Sequence, residues 1–370
     1  MKNKLPLLDF VVTQNQAISF KNCLLITCQH VLEANLALLD AFISNGLKPE
    51  NIFLLGKTYS TNQEIAEDIK KRGIYIHPAS TAFNSDIPFD EAHAEAVKDL
   101  LNYVAESRNS NDFESVIILD DGGQLIATVQ DMHKEWQNVV AIEWTSSGFN
   151  NLQDKELHFP VINMARSQAK LTIESPFIAE HAIQKITPFL KKIANPNILV
   201  IGGGYIGASI TAVLESKYRT HNYDIIATKS SIHEKELHSI LGLYDVIIGC
   251  TGKTVIDAGH YQYLKKGLIL ASVSSSDREF SAVHLRKQVK KINSPHENIQ
   301  SNDITLLNCG FPITFDGNRQ PIALEKIQLT IALAFASVCQ AIKTKGTKGF
   351  IELDKDVQQT IIDKFAEISN

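Results

Sequence analysis

The stretch ILVIGGGYIG, residues 198–207, decides the fold of the second half of this chain. Four apolar residues predict a buried strand, and the pattern G-x-G-x-x-G follows at once and leads into a helical pattern. Gly202 permits a tight turn, Gly204 lets the backbone approach a pyrophosphate, and Gly207 lets the helix pack closely on the strand. The residues expected to contact such a cofactor are Gly202, Gly204, Tyr205, Ile206 and Gly207, because the unpaired N–H groups of a helix N-terminus favour an anion. The alternative is a glycine-rich turn that packs helix on strand without a ligand.

Short β-branched runs alternate with helical patterns on both sides of this turn, which is typical of parallel α/β sheets. Strands are predicted at 23–27, 51–55, 73–77, 116–119 and 139–142, and in a second series at 197–201, 224–227, 245–249 and 267–271. We therefore predict an α/β fold with two parallel-sheet domains, the second a doubly wound Rossmann dinucleotide-binding domain. The expected bounds are 1–172 plus about 312–345 for a substrate-side domain, 177–311 for the cofactor-binding domain, and 346–370 for a C-terminal tail.

Composition excludes several classes of function. The 370 residues carry 36 Lys+Arg and 41 Asp+Glu, and a net charge of -5 gives no global positive field for a nucleic-acid backbone. Five cysteines, an odd number set mostly in apolar runs, favour a reducing cytoplasm, and Cys23-x4-Cys28 has no second pair that would complete a metal site. We find no signal peptide and no apolar run of about 18 residues, so the expectation is a cytoplasmic protein without a membrane span.

The choice between the two nicotinamide dinucleotides depends on the residues after the predicted strand 224–227. An acidic residue that binds the ribose 2′-hydroxyl is expected there, but the sequence reads Thr228, Lys229 and Ser230. A lysine with neighbouring hydroxyls suits a 2′-phosphate, so this pattern favours NADP over NAD, although a solvated loop lysine is the alternative. Thr251 and Gly252, after the strand 245–249, are also expected to contact the cofactor.

Three places in the first half carry residues suited to proton transfer. His30 and the run Asp120-Asp121-Gly122-Gly123 each follow a predicted strand, where open α/β sheets bind ligands. Lys170 lies four residues before Glu174, so the two could form a surface ion pair, or Lys170 could act as an acid or base once desolvated. The alternative for His30 is a capping or packing histidine, and the alternative for the run at 120–123 is an ordinary turn.

These motifs, in this order, resemble the adenosylhomocysteinase family. The similar segments are CQH at 28–30, YSTNQ at 59–63, ILDDGG at 118–123, EWTSSG at 143–148, FPVIN at 159–163, Lys170, and the glycine turn with Thr251-Gly252. The resemblance implies NAD-dependent oxidation of a ribose 3′-hydroxyl, which acidifies the neighbouring C4′ proton and allows elimination of a thiol from S-adenosylhomocysteine. It also implies that His30, Asp121 and Lys170 are the catalytic residues, with Glu174 at the position of an aspartate beside the lysine.

Five features of that family's pattern are changed or missing here. Trp144 replaces an acidic residue, and Glu174 and Ser175 replace an aspartate and an asparagine. The segment SSSD at 274–277 replaces a Gly-His-Phe-Asp loop, and Thr228 replaces the carboxylate residue that binds the ribose of the cofactor. After Gly349 no counterpart of the family's C-terminal tail is recognisable, so the resemblance implies a homodimer more readily than a tetramer. We therefore predict a divergent NAD(P)-binding enzyme that performs redox chemistry on a small-molecule substrate held between two domains. The alternatives are adenosylhomocysteinase itself and a non-catalytic dinucleotide-binding protein.

Overall fold

The computed structural model describes residues 5–232 and 237–369, which divide into two compact units. Unit 1 contains the chain up to Ala82, then His93–Glu174, and the chain from Asn318 onward. Unit 2 contains Phe83–Ala92 and Ser175–Gly317. The segment 83–92, which sequence reasoning assigned to the first domain, therefore belongs to unit 2. It is held there by hydrogen bonds from the backbone N–H of Phe89 to the carboxylate of Asp277, at 3.2 and 3.3 Å.

Two mostly parallel sheets organise the units. The strands are β1 Cys23–Val31, β2 Ile52–Thr61, β3 Tyr75–Ile76, β4 Ser115–Asp120, β5 Val139–Glu143, β6 Pro160–Asn163, β7 Asn197–Ile201, β8 Arg219–Tyr223, β9 Val246–Gly249, β10 Ile269–Ser272, β11 Ile299–Ser301, β12 Ile304–Leu306 and β13 Gly349–Glu352. The helices are α1 Pro6–Gln14, α2 Glu33–Ser44, α3 Gln63–Lys71, α4 Phe89–Ser107, α5 Gln124–Met132, α6 Ser146–Leu152, α7 Ser175–Leu190, α8 Tyr205–Glu215, α9 Leu237–Ile240, α10 Ala282–Arg286, α11 Leu324–Lys343 and α12 Lys355–Ser369. The predicted α/β class with two parallel-sheet domains is confirmed.

The sheet of unit 1 runs β13-β6-β5-β4-β1-β2-β3, with parallel pairing throughout. Read from β3, this is the doubly wound order 3-2-1-4-5-6 with β13 added at the far edge. The winding direction reverses between β1 and β4, so the carboxyl ends of these two strands open a crevice where such folds bind ligands. Leu24, Ile26, Val116 and Ile118 on these central strands are fully buried, and each contributes about 1.5–3 kcal/mol by leaving water.

Helix α11 is long and apolar enough to cross a membrane by length and composition alone, which differs from the expectation that the sequence has no such run. Of its apolar window, 72% is buried inside the structure. The helix packs against α1, α2, α12 and the strands β4, β5 and β6 of unit 1. Its apolar character is therefore explained by the core of that unit.

The segment expected to be a C-terminal tail is instead part of unit 1. Strand β13 pairs in parallel with β6, so that Phe350 lies opposite Val161 and Ile351 opposite Ile162. Helix α12 packs on α11 and α1. The Gly- and Lys-rich residues between α11 and β13 connect the helix to this additional strand at the sheet edge.

The sheet of unit 2 runs β11-β12-β10-β9-β7-β8, and only the β11–β12 pair is antiparallel. Its winding reverses between β7 and β9, whose carboxyl ends carry the glycine turn and the loop at Thr251. The predicted strand 224–227 is wrong, because the second strand is β8. The apolar pair Ile225 and Ile226 that suggested a strand is 76% and 49% exposed, whereas the polar run Arg219–Tyr223 forms the edge strand.

Candidate functional site

A charged cluster lies at the carboxyl ends of β1, β2 and β4 in unit 1. His30 Nε2 is 3.2 Å from Asp121 Oδ2, and the ammonium of Lys57 forms an ion pair with Asp121 Oδ1. The other ring nitrogen of His30, Nδ1, is 2.6 Å from the hydroxyl of Ser60. His30 is part of β1, not of the loop after it, because this strand continues to Val31. The structure therefore brings His30 and Asp121 together.

Burial and neighbouring charges fix the protonation of this cluster. Although burial alone would raise the pKa of Asp121, the charge of Lys57 and its hydrogen bond to the carboxylate lower it, so Asp121 is a carboxylate. Burial opposes the charge of Lys57, but the charge and hydrogen bond of Asp121, together with Tyr59 and Asp120, outweigh burial and raise the pKa of the ammonium. Burial lowers the pKa of His30 to about 4, so its ring is neutral at neutral pH. Because a carboxylate only accepts hydrogen bonds, Nε2 of His30 carries the proton, and Nδ1 accepts from Ser60.

Lys170 and Glu174 lie in a π-helical turn, Ala169–Glu174, that follows β6. The Lys170 ammonium forms an ion pair with Glu174 Oε2, and Glu174 Oε1 accepts a hydrogen bond of 2.8 Å from the hydroxyl of Thr330 on α11. The positive charge of Lys170 also lowers the pKa values of His30 and Asp121, which places the lysine in their electrostatic environment. Single π-helical turns occur frequently at functional sites.

The glycine turn of unit 2 has the geometry of a phosphate cradle. A Cβ at position 207 would lie 1.8 Å from the carbonyl oxygen of Gly202, so the helix can approach the strand only without a side chain there. Gly202 itself has φ +111°. At Gly204, by contrast, no described atom lies within 4 Å of the position of a Cβ. Helix α8 begins at Tyr205 without a side-chain cap among the described residues. Its first N–H groups and the open space at Gly204 therefore fit a pyrophosphate.

A carboxylate is present where the sequence predicted none. Asp224 directly follows β8, and its Oδ2 accepts a hydrogen bond of 2.6 Å from the N–H of Gly203. Its Oδ1 accepts a bond of 2.8 Å from the N–H of Ile226. The expected place of this acid was wrong because the strand was placed five residues too late. Asp224 now occupies the position, about 20 residues after the glycine turn, where dinucleotide-binding folds bind a ribose hydroxyl.

The residues favoured for a 2′-phosphate lie in the turn after Asp224. Thr228 and Lys229 are exposed, and Lys229 belongs to the 3-10 turn Ala227–Lys229. The backbone and Cβ of Lys229 would meet a Cβ at Gly203 at 2.8 Å, so this turn packs beside the glycine turn. Ser230 donates its hydroxyl to the backbone carbonyl of Ile232.

A buried glutamate that the sequence did not suggest fixes the loop after β9. Glu279 Oε1 accepts from the N–H groups of Thr251 and Gly252, at 2.6 and 3.1 Å, and Oε2 accepts from the hydroxyl of Ser272 at 2.8 Å. The loop of Thr251 and Gly252 is therefore held beside the glycine turn, where a Cβ on Gly202 would lie 2.9 Å from the backbone of Cys250.

Sequence reasoning also missed Lys57, although a signal was present. Lys57 directly follows the apolar run IFLLG at 52–56, and a lysine at the end of such a run is expensive to bury without a partner. The description of residues 5–232 and 237–369 contains no group of three His, Cys, Asp or Glu residues that could hold a metal ion.

No family model matches the chain. It is 35% identical over 349 residues to two uncharacterized proteins of Mycobacterium tuberculosis, Rv0104 and MT0113, and the match covers 91% of this chain and 68% of each relative. It is 22% identical over 293 residues to the adenosylhomocysteinase of Sulfolobus acidocaldarius, with 73% of this chain and 64% of that enzyme covered. The resemblance to adenosylhomocysteinases is thus supported as a distant family-level relationship.

Among solved structures, the fold is similar to that of a dipicolinate synthase chain from Bacillus halodurans, with a TM-score of 0.42 and 12% identity. That match covers 84% of this chain and 98% of the other. The NAD+-bound 3-phosphoglycerate dehydrogenase of Entamoeba histolytica gives a TM-score of 0.37 and 14% identity, with 89% and 100% covered.

Removing one partner of the buried pair between Lys57 and Asp121 should be strongly destabilising. Asp121→Asn leaves the ammonium without its carboxylate, and we expect a loss of about 3–5 kcal/mol in the free energy of unfolding. The double variant Lys57→Met/Asp121→Asn should lose much less than the sum of the two single variants. Urea unfolding of the three variants measures this coupling.

The exposed pair of Lys364 and Glu367, at 2.7 Å, is the control. In the same double-mutant cycle, Lys364→Met and Glu367→Gln should show a coupling free energy of unfolding below about 0.5 kcal/mol. A coupling at Lys57 and Asp121 as small as that of the control would show that the buried pair does not hold this part of the structure.

Proposed function

We propose that this chain, which belongs to the family of the Mycobacterium tuberculosis proteins Rv0104 and MT0113, is an NAD-binding enzyme that carries out redox chemistry on a small molecule. One observation carries the proposal: the open space at Gly204 lies at the start of α8, at the reversal point of the sheet in unit 2. A turn that only packs helix on strand has no need of glycine at a position where a side chain would meet nothing.

Asp224 favours NAD as the cofactor. Its carboxylate stands at the end of β8 and is oriented by the N–H of Gly203, in the place from which an acidic residue accepts a hydrogen bond from a ribose 2′-hydroxyl. A 2′-phosphate would bring a second negative charge to the same place and would be repelled. This proposal replaces the preference for NADP that Thr228, Lys229 and Ser230 suggested.

NAD, when bound, would supply a hydride acceptor. Within unit 1, the charged side chains would hold or move protons. Asp121, ionised and held by Lys57, keeps His30 in one tautomer, while burial keeps its ring neutral. Lys170, paired with Glu174, has an ammonium that can pass a proton at Nζ to or from a substrate hydroxyl or carbonyl. We assign Lys170 as the candidate acid or base, and Asp121 as the residue that orients His30.

Hydrolysis of S-adenosylhomocysteine is a second candidate, favoured by the similarity to adenosylhomocysteinases. Trp144 counts against it. This residue is buried, with 3% of its surface exposed, and it stands where the resembled family has an acidic residue. A site that pairs substrate hydroxyls loses orders of magnitude in rate when such a partner is missing.

Purified protein with NAD is therefore expected to release no free thiol from S-adenosylhomocysteine. A thiol reagent measures the release, and the enzyme of Sulfolobus acidocaldarius serves as the positive control. If the wild-type protein releases thiol and Lys170→Ala does not, the function is hydrolysis and the proposal of redox chemistry is wrong.

Gly204→Ala should separate folding from cofactor binding. The residue has φ -70° and ψ -178°, which alanine adopts readily, so the variant should fold as the wild type does. Its methyl group would occupy the space of the pyrophosphate, and we expect NAD to bind at least about tenfold more weakly, or ~1.4 kcal/mol. Calorimetric titration measures the dissociation constant.

Ser209→Ala, on the same helix but away from its N-terminus, is the matched control and should bind NAD as the wild type does. Unchanged affinity in Gly204→Ala would mean that the glycine turn does not hold the dinucleotide.

Asp224→Asn tests the choice of cofactor. The amide oxygen can still accept from Gly203, but the charge is lost, so NAD should bind about tenfold more weakly while the preference for NAD over NADP shrinks. Asp303→Asn, in an exposed turn of unit 2 with φ +59° that asparagine tolerates, should change neither. Wild-type protein that binds NADP more tightly than NAD would contradict the assignment.

A further inference from the structure

Two buried carboxyl groups lie side by side beneath the charged cluster of unit 1. Asp120 and Glu143 are direct partners in the parallel pairing of β4 and β5, so their side chains point to the same face of the sheet. Cys28 is the partner of Asp120 on the other side, in β1. Asp120 and Glu143 have no exposed surface at all. Two negative charges in this position would repel each other without screening by water.

Each carboxyl group uses one of its oxygens to hold a turn. Asp120 Oδ2 accepts from the N–H of Ile126, at 2.9 Å, in the first turn of α5. Glu143 Oε1 accepts from the N–H and the hydroxyl of Thr145, at 2.7 and 2.6 Å, and from the N–H of Gly122 at 3.4 Å. The other two oxygens, Asp120 Oδ1 and Glu143 Oε2, are buried and accept from no group in the described part of the chain.

We propose that Asp120 and Glu143 hold one proton between these two remaining oxygens and together carry a single negative charge in the folded protein. The N–H groups that hold Oδ2 and Oε1 stabilise negative charge on the pair, whereas a second ionised carboxyl group would have no donor for its remaining oxygen. One proton gives one oxygen a donor and the other an acceptor. The arrangement is that of two carboxyl groups that share a proton because both cannot ionise.

The charged surroundings agree with a shared proton. Lys57, Asp121 and the thiol of Cys28 are the titratable groups that face the pair. Lys57 is already paired with Asp121, so it does not neutralise a second carboxylate. Burial raises the pKa of Asp120 to about 7, and burial together with the charge of Asp120 raises the pKa of Glu143 well above its usual range.

The shared proton makes Asp120 and Glu143 positioning residues. Asp120 immediately precedes Asp121, and Glu143 holds both the N–H of Gly122 and the start of the turn that contains Thr145. The shared proton therefore links the turn after β4 to the turn after β5. Asp121, which contacts His30 and Lys57, lies in the first of these two turns. This consequence for chemistry rests on the proposed function, whereas the proton itself is a property of the folded chain without any dinucleotide, so the two can fail separately.

A double-mutant cycle tests the shared proton. Glu143→Gln and Asp120→Asn each place an amide N–H where the proton lies and keep the oxygen that holds the turn. Each single variant should change the equilibrium constant of unfolding by less than about tenfold. The double variant sets two amide donors against each other, and its constant should rise by at least about a hundredfold beyond the product of the singles. Additive effects would overturn the proposal, because they would show that no common proton couples the two groups. Single variants that are each more stable than the wild type would overturn it as well, because they would show that both groups are ionised and repel each other.

The dependence of stability on pH gives a second readout. If the two side chains only packed together, they would cause no such dependence. The folded pair keeps a proton that the unfolded chain releases above about pH 4, so folding is favoured at low pH and loses that advantage as the pH rises towards the raised pKa. Between about pH 4.5 and 6.5, the unfolding constant of the wild type relative to that of Glu143→Gln should rise about tenfold for each pH unit. Glu156→Gln, an exposed change, should show no such slope, and a flat ratio for Glu143→Gln would refute the shared proton.

Infrared spectroscopy of the folded wild type requires no variant to fold. A C=O stretching band of a protonated carboxyl group should be present at about pH 6, with the intensity of one group. Asp120 and Glu143 are described carboxyl groups whose pKa is raised, so the band is expected from this pair. A folded wild-type protein without the band overturns the proposal whatever the variants do.

Discussion

The buried ion pair between Lys57 and Asp121 is the interaction on which the geometry of unit 1 depends. Lys57 lies within β2 and Asp121 directly follows β4, with 3% and 6% of their surface exposed, so neither charge is compensated by water. Asp121 could not remain ionised there without Lys57, and an ionised Asp121 is what fixes the proton of His30 on Nε2. The tautomer of the histidine and its bond to Ser60 therefore follow from one lysine, whereas its neutral state follows from burial.

Unit 2 uses a buried carboxylate in a related way. Glu279, fully buried, accepts from two backbone N–H groups of the loop after β9 and from the hydroxyl of Ser272. In both sheets the loop at the reversal point is thus held by an acidic side chain from elsewhere in the same unit. In unit 1 this side chain is Glu143, which accepts from the N–H of Gly122. Because Glu279 already accepts the hydrogen bonds of the loop after β9, the N–H groups at the start of α8 remain available for an anion.

The central strands could be predicted from the sequence because they are buried on both faces and consist of unbroken apolar residues. Strand β7 was placed with its observed bounds. The edge strand β8 was missed, because one exposed edge removes the need for apolar residues, and the exposed Ile225 and Ile226 imitate a buried strand. The ribose carboxylate Asp224 was lost with it. Lys57 and Glu279 were missed for another reason: their roles depend on partners 64 and 27 or 28 residues away, which no local pattern encodes.

The energetics of the charged cluster bear on whether this chain is an enzyme or a protein that only binds a dinucleotide. Apolar residues of similar volume commonly replace a buried ion pair with no loss of stability, or with a gain of about 1–4 kcal/mol. Stability alone is therefore a poor reason for Lys57, Asp121 and the neighbouring carboxyl pair of Asp120 and Glu143 to lie together at the place where a doubly wound sheet opens. A purely structural core at this position would be expected to resemble the apolar layer formed by Ile26 and Ile118. Charges kept in their ionised states at the mouth of the crevice instead match the needs of proton transfer, which requires groups whose protonation the protein controls.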